Sequence, residues 1–269
     1  MTTYAIIGAS RGIGLEFVQQ LRTEYQAKKP DAVVFAVVRD VSPAYLQPVA
    51  AAHKNVHVIQ GDVADHGSLA RAAEDIAAMY GGVLDVLIHN AARMNSAQIF
   101  RGFEDYKDLD ELDADFVDAF KINTLGVVHS VSAFLPLLQR STAPTRKIVV
   151  ISSGGAIPGR VVRTSETGIV AYCTTKAAAV MVAAKYAARL ATERFAVVSM
   201  NPGVVDTSGT AAATSERSFQ DVVDDLSEAG LNTELLTPSQ SVAAQLAVIE
   251  RLTPEENGAF LSYTGETAA

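Results

Sequence analysis

Tyr172 and Lys176 stand four residues apart in the stretch Ala171-Tyr172-Cys173-Thr174-Thr175-Lys176-Ala177. On a helix that spacing puts both side chains on one face, with Cβ atoms about 6 Å apart. An ammonium beside a phenol favours the phenolate, so the tyrosine pKa is expected to fall from its ordinary value near ~10. Such a pair can donate and accept a proton near neutral pH. Exposed helical pairs with no chemistry share the same spacing, so the reading needs support from elsewhere in the chain.

A second cluster supplies it. Gly8-Ala9-Ser10-Arg11-Gly12-Ile13-Gly14 follows a short apolar run at once and opens an amphipathic stretch. A glycine-rich turn at a helix N-terminus offers free N–H groups and a positive dipole end, which attract phosphate. Glycine also permits positive φ and a close backbone approach. The spacing is G-x-x-x-G-x-G rather than the G-x-G-x-x-G of the usual dinucleotide fingerprint. A plain tight turn is the alternative, and the strand before and helix after favour a ligand. At the end of the next apolar run stand Val37-Val38-Arg39-Asp40. An acidic residue there would bind a ribose 2′-hydroxyl, whereas arginine accommodates a 2′-phosphate. Arg39, with Arg11 in the glycine turn, points to NADP(H) through charge-assisted contacts. Asp40 could instead bind the ribose or pair with Arg39.

Apolar runs and helical stretches alternate through the chain and must position these groups. Tyr4–Ile7, Val33–Val38, Val56–Ile59, Val83–Ile88, Ile148–Ile151 and Val197–Met200 are short, largely β-branched runs that read as buried parallel strands. Residues 13–27, 66–79, 110–140 and 170–193 read as crossover helices. The expectation is an α/β fold with a doubly wound parallel sheet (Rossmann-like), one domain over residues 1–269. Residues 154–168 and 203–232 break the alternation and read as long loops, either lids and binding loops or variable surface.

The bulk numbers limit the partners. A net charge of −8 argues against nucleic acid or an anionic membrane, so a bound anion must be held locally. The single cysteine, Cys173, allows no intrachain disulfide. No apolar run approaches membrane-span length, and the first residues lack a signal-peptide pattern, so a soluble cytoplasmic protein is expected. His53, His57, His66, His89 and His129 show no metal-ligand spacing, and no metal is expected. Cys173 reads as a small helix residue. The acidic run through Glu104, Asp105, Asp108, Asp110, Glu111, Asp113 and Asp115 reads as a solvated face without basic partners. Arg160 and Arg163 could meet an anionic substrate or face solvent.

With these pieces in order, the chain resembles the short-chain dehydrogenase/reductase family over nearly its whole length. The glycine motif matches the family's cofactor turn, with Ile7 where threonine is common. Gly61-Asp62-Val63 resembles the adenine-contacting segment, and His89-Asn90-Ala91-Ala92 is similar to the family's Asn-Asn-Ala-Gly, altered at both ends. Asn201-Pro202-Gly203-Val204-Val205-Asp206-Thr207 looks like the segment that contacts the nicotinamide amide. Asn123, Ser153, Tyr172 and Lys176 match the catalytic tetrad. Eighteen residues separate Ser153 from Tyr172, more than is usual in the family. That longer insertion is similar to the carbonyl-reductase branch with sniffer and the fungal norsolorinic acid ketoreductase-like proteins.

The resemblance implies NADPH-dependent reduction of a ketone or aldehyde. Ser153 would hold the carbonyl oxygen and Tyr172 would protonate it. Lys176 would lower the tyrosine pKa and bind ribose, and Asn123 would hold a water linking Lys176 to solvent. Strand alternation puts Ser152 and Ser153 on opposite faces, and the motif match selects Ser153. The implied cofactor contacts are Gly8, Ser10, Arg11, Gly12, Ile13, Gly14, Arg39, Asp62, Val63, Asn90, Ala91, Tyr172, Lys176, Pro202, Gly203, Val205 and Thr207. A small-molecule carbonyl substrate and a homodimer complete the expectation. A cyclase or isomerase in the same pocket, or a non-catalytic NADP(H)-binding regulator, are the alternatives.

Overall fold

The computed structural model describes residues 1–22, 32–93, 99–210, 218–231 and 233–267. Seven strands form one sheet: β1 (Thr2–Ile7), β2 (Ala32–Val38), β3 (Val56–Gln60), β4 (Val86–His89), β5 (Arg146–Ile151), β6 (Phe195–Asn201) and β9 (Phe260–Ser262). Their spatial order is β3-β2-β1-β4-β5-β6-β9, with every neighbouring pair parallel. This is the expected doubly wound, Rossmann-like sheet. A two-stranded ladder of β7 (Val204–Val205) and β8 (Leu235–Leu236) stands apart from it.

Both sheet faces are buried because the strand side chains alternate into two apolar layers. Ile6, Val34, Ile88 and Val149 face one layer with Phe17 and Leu21 of α1 (Gly12–Arg22) and Leu246 and Ile249 of α9 (Pro238–Arg251). Ile7, Phe35, Leu87 and Val150 face the other. That layer is closed by α3 (His66–Ala77), α5 (Gly126–Gln139) and α7 (Val170–Arg189). On α7 the buried residues Ala179, Ala183 and Ala187 recur every four positions, which brings its backbone close to the sheet. Side chains such as Phe35 and Phe134 are wholly buried, each worth ~2–3 kcal/mol of apolar transfer.

Several boundaries differ from the sequence expectation. Strand β4 starts at Val86 rather than Val83, because Thr3 Oγ1 donates to the Val83 carbonyl and Asp85 bonds back to Thr3. Residues 154–168 are not a plain loop: they hold a 3₁₀ turn at Gly154–Ala156 and helix α6 (Pro158–Thr164). The second stretch likewise contains β7 and helix α8 (Phe219–Glu228), while 211–217 and 232 lie outside the described residues. The first helix ends at Arg22, and the expected continuation to 27 also falls outside them. Helix α2 (Gln47–Ala52), helix α9 and strand β9 were not anticipated.

The expected helix 110–140 is α4 (Leu109–Phe120) running through a π-helical turn, Lys121–Leu125, into α5. Among the described residues, this continuous helix is the one long and apolar enough to cross a membrane by length and composition. The sequence reading counted no such run. Over half of its apolar window is buried inside the protein, which is the environment of a core helix.

The topology collects the interesting residues at one edge. The strand order reverses between β1 and β4, so a crevice opens outside their carboxyl ends. Gly8, Arg39, Asp62, Asn90, Ser153 and Pro202 all lie within two residues of a strand's carboxyl end and therefore meet at that edge.

Candidate active site

On the nucleotide side, Gly8 and Gly12 have φ of +84° and +54°, the left-handed region that glycine tolerates best. A Cβ on Gly8 would fall 2.7 Å from Ala91 Cα, and one on Gly14 would lie 2.6 Å from Asn90 Nδ2. Asn90 Nδ2 also donates to the Gly8 carbonyl at 3.0 Å. The glycine turn and the Asn90–Ala91 exit of β4 are thus pressed together, leaving no room for side chains. Thr210 Oγ1 accepts from Gly12 N–H at 2.9 Å, and Thr207 borders the same glycine. Amides at a helix N-terminus, two threonines and backbone bare of Cβ atoms fit a dinucleotide pyrophosphate. Thr210 escaped the sequence reading, since nothing in its local pattern marks it.

Arg11 and Arg39 are exposed at this edge. Asp40 accepts from Ser42 N–H at 2.9 Å and forms no ion pair with Arg39 among the described residues, which leaves Arg39 for a ligand. Asp62 accepts from Ala64 N–H at 2.9 Å, and Val63 is buried against Gly126 of α5. Gly203 also has positive φ, +83°, at the exit of β6, where Ser241 Oγ donates to the Pro202 carbonyl at 2.7 Å. Ser10, Ile13 and Val205 occupy the same two segments, with Val205 buried in the small β7–β8 ladder.

Helix α7 carries Tyr172 and Lys176 as the spacing requires. Lys176 is 2% exposed, its Nζ lies 5.6 Å from the Tyr172 ring centroid, and it donates to the Ile151 carbonyl at 2.7 Å. Burial pushes the ammonium down to a pKa of about 8. Tyr172 departs from expectation: burial pushes its phenol up, and the neighbouring Cys173 acts the same way. The reason is geometric as well as dielectric. The ammonium sits over the ring face and is turned to a backbone oxygen, and it does not lower the phenol's pKa. His89, where the family motif has asparagine, is wholly buried and driven down to about 3 by desolvation and then by Lys176.

Asn123 lies in the π turn, 1% exposed. Its Oδ1 accepts from Arg93 N–H at 2.6 Å and its Nδ2 donates to Thr175 Oγ1 at 3.0 Å, beside Lys176. The amide meets protein at both ends, which fixes its orientation in the turn. A π turn widens the helix and shifts its backbone pairing, a feature common at functional sites. Arg93 itself bridges Asp115 at 2.7 Å and Asp118 at 2.6 Å, while Arg101 pairs with Glu111 at 2.8 Å. The acidic run is therefore not a solvated face without partners. Its cations arrive from the segment after β4, and Asp115, which also accepts from Tyr106 at 2.7 Å, is buried.

Ser152 and Ser153 separate as strand alternation requires. Ser152 is 1% exposed, whereas Ser153 is half-buried and caps the Gly154–Ala156 turn by accepting from Gly155 N–H at 3.2 Å. That turn packs on helix α7, with Cys173 Sγ against Gly155. Ile169, which caps α7, sits at φ +56°, a strained conformation for a β-branched residue. Opposite, Thr164–Thr167 and the α8 residues Asp225 and Glu228, followed by Ala229, line a cleft of about 410 Å³ between the two inserted stretches.

Comparison with known proteins agrees with this architecture. The family described as short chain dehydrogenase matches residues 2–218. The short-chain dehydrogenase/reductase atnB of an Arthrinium species is 36% identical over 281 aligned residues, covering 99% of this chain and 98% of that one. AacuF of Aspergillus aculeatus, also a short-chain dehydrogenase/reductase, is 35% identical and covers 98% of each chain. Among solved structures, the NADPH-bound carbonyl reductase from chicken fatty liver superposes with a TM-score of 0.77 at 24% identity, covering 99% of this chain and 93% of that one. Carbonyl reductase Sniffer of Drosophila melanogaster gives the same TM-score, 0.77, at 22% identity, with 99% and 98% covered. The chain belongs to the short-chain dehydrogenase/reductase family of oxidoreductases.

Proposed function

We propose that residues 1–269 act as one NADPH-dependent carbonyl reductase unit, with Tyr172 as the proton donor. The observation that carries the reading is the meeting of Tyr172, Lys176, Ser153 and the glycine cradle at one sheet edge. Gly8–Gly14, Thr207 and Thr210 would hold the pyrophosphate, and Arg39 with Arg11 the 2′-phosphate. NADP(H), when bound, supplies the hydride equivalent. Ser153, the accessible serine of the pair, hydrogen-bonds the substrate oxygen. Tyr172 protonates that oxygen, and its raised pKa keeps the proton on the phenol through the neutral range until it is needed. Lys176 steadies the negative charge left on the tyrosine and binds ribose hydroxyls, a role its buried ammonium can fill at pH 7. We assign the water link to the backbone of the π turn, with the Asn123 amide clamping that turn to Arg93 and Thr175.

The carbonyl-reductase neighbours and the NADPH bound in one of them support this choice of reaction and cofactor. Exposed Val117 and Phe120 on α4 and Met181 on α7 suit pairing of two copies, so we propose a homodimer. The test is oxidation of NADPH and of NADH followed against a panel of ketones and aldehydes. Turnover with NADPH preferred is expected. Silence with every carbonyl, with NADPH still bound, would turn the reading to a cyclase, an isomerase or a cofactor-binding regulator.

A further inference from the structure

Arg160, on the short helix α6, differs from the other arginines of the described residues. Each of the remaining partly buried ones has a protein partner: Arg22 meets His53, Arg93 two aspartates, Arg101 Glu111, and Arg146 the carbonyls of Ser141 and Glu193. Arg160 is likewise partly buried, yet its guanidinium has no hydrogen-bond or ion-pair partner among the described residues. A half-buried guanidinium with no acceptor among the described residues keeps its five N–H donors available to a ligand.

Its position says what that is. The guanidinium lies against Gly154, the residue after Ser153: a Cβ on Gly154 would fall 2.5 Å from Arg160 Nη1 and 2.7 Å from its Cζ. Glycine at 154 is what lets the cation reach the lip of the serine turn. Burial pushes its pKa down, and the nearby Arg163 guanidinium, which repels it, acts in the same direction. Among the described residues, no carboxylate acts on it. Glu166 is occupied instead by Gly168 N–H at 2.9 Å. Glu166, Asp225 and Glu228 line the cleft between the two inserted stretches with Thr164–Thr167.

We propose that Arg160 makes this protein selective for carbonyl substrates bearing an anionic group, a carboxylate or an ionised acidic hydroxyl, on the Ser153 side of the carbonyl. This rests on Ser153 holding the substrate oxygen, and it adds the substrate class to the carbonyl-reductase reading. A planar guanidinium on the serine lip takes a carboxylate in two parallel hydrogen bonds and fixes which way the carbonyl lies. The chain as a whole is acidic, with a net charge of −8, so this local cation also supplies the attraction that the overall field does not.

The test uses the full chain with NADPH and three keto acids, benzoylformate, 3-acetylbenzoate and 4-acetylbenzoate, each beside its neutral methyl ester. For at least one pair the acid should have the higher kcat/KM. Arg160→Met should lower the acid-to-ester ratio at least ~10-fold, as loss of a charge-assisted hydrogen bond requires, through KM rather than kcat. Arg160→Lys should restore part of it. Equal losses for acid and ester would overturn the proposal and make Arg160 a staple of the loop. So would esters preferred throughout by the natural chain. Calorimetric binding of the same acids to the protein with NADP⁺ keeps the two readings apart. Acid binding weakened by Arg160→Met, without turnover of any ketone, would sustain the anion site and reject the reductase. Turnover of esters with no acid binding would do the reverse.

Discussion

The two sides of the crevice are built on opposite plans. On the nucleotide side the backbone is crowded: Cβ atoms on Gly8 and Gly14 would collide with the Asn90–Ala91 segment or with the turn itself. On the substrate side, a Cβ on Gly159 of α6 would meet nothing within 4 Å, and the cation Arg160 stands without a partner among the described residues. A cofactor shared across a family calls for a cradle of fixed shape, made from strand ends that the sheet holds rigidly. A substrate particular to one protein is met by inserted segments whose side chains can change without disturbing the sheet.

Substitutions can break or sharpen this contrast. The largest effect is expected from Gly14→Ala, whose new methyl meets Asn90 and the Gly8 carbonyl, both fixed. Stability should fall by about 3 kcal/mol in urea unfolding, with NADPH binding lost as well. An unchanged unfolding midpoint would show that the cradle is looser than described. Arg39→Ala should weaken NADPH by ~1.5–3 kcal/mol in fluorescence titration while leaving NADH nearly as it was. Equal weakening of both would reject the 2′-phosphate assignment.

Lys176 sits on the seam between the two sides, and its effect is pH-dependent. Its folded pKa of about 8 lies below the ordinary 10.5, so the unfolded chain binds more protons between those values. Stability contributed by this group therefore rises with pH across that window and is lowest below pH 8. Lys176→Met should abolish turnover yet stabilise the fold at pH 7 by ~1–2 kcal/mol, after the Ile151 carbonyl loses its donor. Melting curves should show the gain shrinking towards pH 10. A gain that persists at pH 10 would mean that the ammonium is not the source. The smallest effect belongs to Gly159→Ala on the open substrate side, a stabilisation of ~0.5 kcal/mol from helix propensity alone.

The same contrast explains what could be read from the residues. The six main strands are β-branched and bounded by Gly, Asp, Asn or Ser, and the glycine turn carries its own collisions, so the nucleotide side was visible in outline. Strand β9, three residues long, and helix α6, with Pro158 and Gly159 in its first turn, carry too little pattern to be seen. Long-range partners were invisible for a different reason. Arg93 neutralises Asp115 and Asp118 across more than twenty positions of sequence, and Thr210 reaches Gly12 across 198 positions. The expected acid shift of Tyr172 failed because spacing fixes which face a side chain occupies but not where its charge points. The Lys176 ammonium turned to Ile151 instead.

Tyr172→Phe tests the central claim most directly, because it removes the proton and keeps the ring. NADPH affinity should stay within about twofold of the natural protein, since the ring still packs over Lys176. Single-turnover reduction of the best carbonyl substrate should fall at least ~100-fold, the contribution of a positioned general acid. Reduction at the undiminished rate would contradict the assignment of Tyr172 as proton donor.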